Sequence, residues 1–298
     1  MKAKYLLSGL IVVFLSAVLI MISCSKDDPG SIPATDLTLA EDDAYADALF
    51  EEVDNMVSEE LVTLDANGYT TGSRKSVSTD ACLSVTVDHP DSTSFPKVVT
   101  MDYGDGCLVV FNGDSIIRKG QIIATVTGRW FIEGTQHIIA LNDFYINDVK
   151  VEGTKTRTNL GLNEKNHLEL GIELVGGKII FNDTTMMTRE ASHVREIIRR
   201  LNPQNDTIMV TGNASGTNVL GQDYNRLITK ALVMVHCTEY KWRWVIADGT
   251  VELTNSEKGV TTIDYTGKGC SGEVTVNKNG YKHNYDFKFN HANHKGGH

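Results

Sequence analysis

Five cysteines are the side chains best suited by type to covalent chemistry in this 298-residue chain: Cys24, Cys82, Cys107, Cys237 and Cys270. A thiol can be acylated, oxidised to a disulfide or coordinate a metal, and spacing narrows the choice. No Cys-x-x-Cys or His-Glu-x-x-His pairing occurs, nor does a P-loop or a nucleophile elbow, so no local motif announces catalysis. Gly267-Lys-Gly-Cys-Ser-Gly272 matches G-x-G-x-x-G, but a dinucleotide site needs a helix next, and Glu273-Val-Thr-Val-Asn277 reads as a strand. Asp102, Asp105 and Asp114 could supply oxygens to calcium; their spacing is not that of an EF-hand, and an Asp-stabilised turn accounts for them better. His291, His294 and His298 could hold a transition metal weakly, although they sit in a polar terminus of the kind that frays. No metal or cofactor is therefore assigned. Trp242 and Trp244 lie two apart, on one face of a strand, where they form either a platform for sugar rings or part of a core.

Cys24 has the most informative surroundings. Lys2 and Lys4 precede an apolar run from Leu6 to Ile22, and a small residue, Ser23, stands just before Cys24. A charged start, an apolar stretch and a small residue before the cut make an export signal over residues 1–23. The same run is at the short limit for a membrane span and lacks an anchor at its far end. With Cys at the first mature position the segment resembles a bacterial lipoprotein signal, which implies that Cys24 is acylated. The following Ser25-Lys-Asp-Asp28 is similar to the short tract that marks surface-exported lipoproteins of the Bacteroidota. Residues 24–36, with Pro29, Gly30 and Pro33, then read as a flexible tether.

The formal charge is −10, and both Lys2 and Lys4 fall in the removed segment, so the mature chain is more acidic still. That balance argues against nucleic acid, whose binding needs clustered Lys and Arg. In an oxidising compartment the four remaining cysteines form an even set with three possible connectivities. Cys82 and Cys107 bracket a strand, a Pro-rich turn and a second strand, so a hairpin would bring them together; Cys237 and Cys270 flank a longer meander. The expected pairs are Cys82–Cys107 and Cys237–Cys270.

These sites need elements to position them. Apolar residues Leu49, Phe50, Val53, Met56, Val57 and Leu61 recur at spacings of three and four, and Thr38-Leu-Ala-Glu41 fits a capping box. They predict one amphipathic helix within residues 37–65, whose acidic face is expected to be solvated, although it could dock a basic partner. From about residue 78 the text is short, alternating and rich in Val, Ile and Thr, with turn signals at Asn112-Gly113, Asp248-Gly249 and Asn279-Gly280. Residues 186–201 fit helix or strand and are read as strand. Short connections imply an antiparallel meander, so the expected class is mainly β, with curled or packed sheets and the helix over an apolar face or edge.

Two segments echo each other: Met101-Asp-Tyr-Gly-Asp-Gly-Cys107 and Ile263-Asp-Tyr-Thr-Gly-Lys-Gly-Cys270. They suggest related β units at 78–185 and 205–290, followed by a His-rich tail, 291–298. The repeated Cys, Asp-Tyr, glycine-turn, Cys pattern, with Arg118-Lys-Gly-Gln-Ile-Ile, Val151-Glu-Gly-Thr and Ser215-Gly-Thr-Asn-Val-Leu-Gly221, resembles a family of uncharacterised cell-envelope lipoproteins of the Bacteroidota. The resemblance implies a location and a β fold, and no activity. Asp91-Ser-Thr, Asp114-Ser-Ile, Asp183-Thr-Thr and Asp206-Thr-Ile look like O-glycosylation acceptors of such exported proteins. The functional expectation is a lipid-anchored outer-membrane protein, held at the surface or facing the periplasm, that binds a glycan or protein partner or acts as a scaffold. The alternative is an envelope hydrolase acting on glycan or peptide.

Overall fold

The computed structural model describes residue 32 and residues 34–70, 72–75, 82–111, 114–181, 184–202, 205–237, 243–266 and 273–286. One helix, α1 (Ala34–Ala66), precedes fifteen strands. These are β1 (Ser73–Lys75), β2 (Ser84–Val87), β3 (Lys97–Asp102), β4 (Cys107–Phe111), β5 (Asp114–Val126), β6 (Gln136–Ile146), β7 (Val149–Leu162) and β8 (Leu168–Ile180). There follow β9 (Met186–Ile198), β10 (Thr207–Thr217), β11 (Asp223–Cys237), β12 (Arg243–Asn255), β13 (Gly259–Thr266), β14 (Glu273–Lys278) and β15 (Tyr281–Asp286). All fifteen belong to one sheet, with neighbours antiparallel and in sequence order, except that β3 pairs β5 and β4 pairs only β5. The mainly β class, the meander and the strand reading of 186–201 therefore hold.

Helix α1 starts a turn earlier than the capping box suggests. Pro33 immediately precedes it, and the Thr38 hydroxyl donates to the Ala34 carbonyl at 3.1 Å, so Thr38 lies within the helix rather than capping it. The C-terminal end closes on Gly68 at φ 64°, with Tyr69 N–H donating to Leu64 O and Gly68 N–H to Asp65 O. A left-handed residue at that place lets the chain satisfy the last carbonyls and turn away.

The sheet curls round this helix. Adjacent Glu51 and Glu52, which a helix points about 100° apart, end on Arg195 of β9 and Arg118 of β5, at 2.5 Å each. Bulges supply the bend. They fall at Gly120 in β5, between Ala140 and Phe144 in β6, at Gly153 in β7 and at Gly176–Gly177 in β8. A Cβ on Gly120 would stand 1.9 Å from the Asp143 carbonyl oxygen, so only glycine permits that approach. The expected turn at Asp248-Gly249 is a break of this kind, lying inside β12 instead of turning a hairpin. Asn279-Gly280 does make the turn between β14 and β15, both residues having positive φ.

The apolar core has two parts along the helix. Leu49, Val53, Val57 and Leu61 pack with Val99, Ile122, Phe144 and Val151. Leu39 and Ala40 pack with Val210, Leu232, Leu253 and Ile263. Cys82 and Cys107 are disulfide-bonded with Cα atoms 5.6 Å apart, tying the β1–β4 edge together.

Candidate functional site

The acidic side of α1 is where the structure departs furthest from expectation. Those carboxylates are buried against cations that the strands point inward. In order along the helix, Asp36 meets Lys278 of β14 at 2.9 Å, and Asp43 meets Arg189 of β9 at 2.7 Å and Arg226 of β11 at 3.0 Å. Asp47 meets the same two arginines, Asp54 meets Lys155 of β7 at 2.7 Å and Arg195 at 3.2 Å, and Asp65 meets Arg129 beyond β5 at 3.0 Å. The partner strands change from β14 to β5 as the helix proceeds, so its axis crosses the strands. The basic partner of the helix is its own sheet. A solvated face is excluded because Asp36, Asp43, Glu52 and Asp54 are all buried.

Charge pairing follows from this burial. Removing an ion from water costs several kcal/mol, so a buried carboxylate persists only against a cation. At the centre, Asp43 and Asp47 face Arg189 and Arg226 in a four-membered cluster, with Tyr224 Oη accepting from Arg189 Nη1 at 3.1 Å. Burial works against the charge of Asp47, yet Arg189 and Arg226 outweigh it and hold that carboxyl below the usual range. Burial pushes the nearby His193 imidazole down to about 3, leaving it neutral at physiological pH.

Further along, β7 presents Arg157 beside His137 of β6, its direct cross-strand partner. Trp130 lies against both, its ring 4.2 Å from the imidazole and 5.3 Å from the guanidinium carbon. Arg157 Nη1 donates to Ser58 Oγ of the helix. The imidazole is 4 % exposed, and neither of its nitrogens has a hydrogen-bond partner among the described residues. Burial, helped by the Arg157 charge, pushes its pKa down to about 3.

An open cleft of about 550 Å³ lies on the outer face at the bulges, lined by Asn142, Asp143, Lys150, Glu152, Thr154 and Val175 among others. Lys150 Nζ stands 3.4 Å from Asp143 and 3.1 Å from Glu152, so one ammonium is shared by two carboxylates. The hydrogen bond to Glu152 leads the causes that raise the lysine pKa.

The residues singled out from the sequence do not converge. Trp244 is half-buried at the margin of the second core, its ring 3.8 Å from that of His236 on the facing strand. Trp242, Cys24, Cys270, Gly267 to Gly272 and His291, His294 and His298 lie outside the described residues. Cys237 is buried and disulfide-bonded. Asp102 accepts from Gly104 N–H at 2.7 Å and from Gln121 Nε2 at 2.8 Å, the expected turn. Among the described residues no His, Cys, Asp or Glu group is arranged to hold a metal. Sequence reasoning missed the strand cations, whose signal was a charge at an inward position of an otherwise apolar alternation. No family model, curated protein or solved structure matches the chain.

Proposed function

We propose that this chain is a lipid-anchored protein of a bacterial outer membrane, exposed at the cell surface, which binds a partner or serves as a scaffold and performs no catalysis. The observation that carries the reading is Cys24 placed directly after an export signal, with Lys2 and Lys4 ahead of the apolar run 6–22. Two or more acyl chains on that thiol suffice for stable attachment. The helix begins at Ala34, ten residues after the thiol, a chain length that spans at most about 35 Å. Asp36 at that end is clamped to Lys278, so an anchor at Cys24 would hold the β14 region of the sheet near the membrane.

The ion pairing favours binding over hydrolysis. Hydrolysis by two carboxylates needs one of them protonated. Asp143 and Glu152 in the outer cleft both pair with Lys150, so neither carboxyl stands free of a cation. Metabolic labelling with an alkyne fatty acid tests the anchor: wild type should label and Cys24→Ser should not. Protease shaving of intact cells tests display. Replacing Lys26, Asp27 and Asp28 by Ala should preserve the label and reduce shaving; unchanged shaving removes the surface assignment. A pull-down from intact cells together with a glycan array then separates a protein partner from a glycan.

A further inference from the structure

We propose that Arg157, with His137 and Trp130 beside it, forms a binding site for the carboxylate of a small ligand. The inference rests on the binding role proposed above and names a chemistry for it. Arg118, Lys155, Arg189, Arg195, Arg226 and Lys278 are inward cations of the same sheet, and each has a carboxylate within ion-pairing distance. Arg157 has none among the described residues. Its polar partner there is the Ser58 hydroxyl, and its Nε is buried without a hydrogen bond. The nearest acids, Glu51 and Asp54, are already engaged by Arg195 and Lys155, so three cations share two carboxylates. Neither carboxylate comes within ion-pairing distance of Arg157.

Arg157 is half-buried, and a guanidinium held partly out of water without a carboxylate is a natural seat for an anion. The imidazole of His137 is a second unpartnered group at the same place, more than nine-tenths buried and bearing one N–H donor when neutral. A guanidinium fork matches a planar carboxylate, which is what the other inward arginines take. Trp130 packs on both groups, its ring 4.2 Å from the imidazole and 5.3 Å from the guanidinium carbon, and would flank a bound anion. Together the guanidinium and imidazole offer donors, and a single carboxylate would pair the Arg157 charge.

The test uses the full chain in detergent, with sodium acetate as the probe and sodium chloride at equal ionic strength as the control. Near tenfold saturation acetate should raise the wild-type Tm by about 3 °C over chloride. Arg157→Gln should lose that response and, in chloride, melt no lower than wild type, because it removes an unpaired charge. An equal acetate response in Arg157→Gln, or none in wild type, overturns the proposal, as does a large loss of Tm for Arg157→Gln in chloride. A second readout guards against an Arg157 variant that fails to fold: acetate should change wild-type indole emission saturably, and Trp130→Phe should abolish the change. A change that survives in Trp130→Phe places the acetate elsewhere and also overturns it. Fatty-acid labelling is unaffected by these outcomes, so failure of the site and failure of the anchor are separately visible.

Discussion

Replacing Asp43 by Asn probes the central ion cluster with almost no change in shape. Asp43 Oδ1 accepts from Arg189 at 2.7 Å and Oδ2 from Arg226 at 3.0 Å, and both guanidiniums are at most 2 % exposed. In the variant one oxygen becomes an amide donor aimed at a donor, and Asp47 alone faces two buried cations. Breaking a buried pair from one side costs about 3–5 kcal/mol. For a folded region of this size each kcal/mol moves Tm by roughly 2–4 °C, so the melt should fall by about 6–20 °C. Urea unfolding followed by circular dichroism gives the free energy, and Asp105→Asn in an exposed turn provides a control expected to stay within about 0.5 kcal/mol. Removing all four charges together (Asp43→Leu, Asp47→Leu, Arg189→Met, Arg226→Met) should cost less than Asp43→Asn alone, since no ion is then left unpaired. A loss below about 1 kcal/mol for Asp43→Asn would refute the reasoning, as would a quadruple variant less stable than the single one.

Acid should destabilise the fold in two stages. The folded pKa of His137 is about 3 against about 6.5 unfolded, so its contribution is complete above pH 6.5 and is lost as pH falls towards 3, by about 2 kcal/mol at pH 5. Asp47 and Asp54 have depressed folded pKa values, so their contributions are lost only as pH falls below about 4. Chemical denaturation from pH 7 to pH 3 checks this; His193 is depressed likewise, so His137→Gln should reduce the first stage by about half. Removing the Cys82–Cys107 bridge, which closes 25 residues, should cost about 3.5 kcal/mol and expose the β1–β4 edge first to hydrogen exchange. Gly177→Ala should cost about 1–3 kcal/mol, because its Cβ would stand 2.5 Å from the Arg189 carbonyl oxygen and 3.1 Å from the Phe50 ring. Denaturant midpoints of that variant test whether the bulge lets the helix approach.

Most of the architecture was legible in the sequence because strand alternation and short turns are local properties. Val98 to Tyr103 alternates and Cys107 to Phe111 is a short apolar run, and the strands lie within a residue of those positions. Bulges were not legible. Gly176-Gly177 and Asp248-Gly249 carry turn composition, yet a glycine in a continuing strand is chemically the same signal as one that ends it. The helix was recognisable from its apolar spacing, but the fate of its acids depended on distant partners, such as Arg226 opposite Asp43, 183 residues away, and Lys278 opposite Asp36, farther still. Arg189, His193 and Arg195 also blurred the period of β9, since alternate inward positions there carry charge. Of the candidate site, Arg157 and His137 gave no local sign. Their significance lies in the pairing of every other cation around them.

The anchor is tested most directly by the intact mass of the protein purified from native membranes. The account predicts a chain that begins at Cys24, lacks residues 1–23 and carries fatty acyl groups whose mass stays with the N-terminal peptide. An unmodified chain retaining Met1, or one cut elsewhere with a free Cys24 thiol, would contradict it.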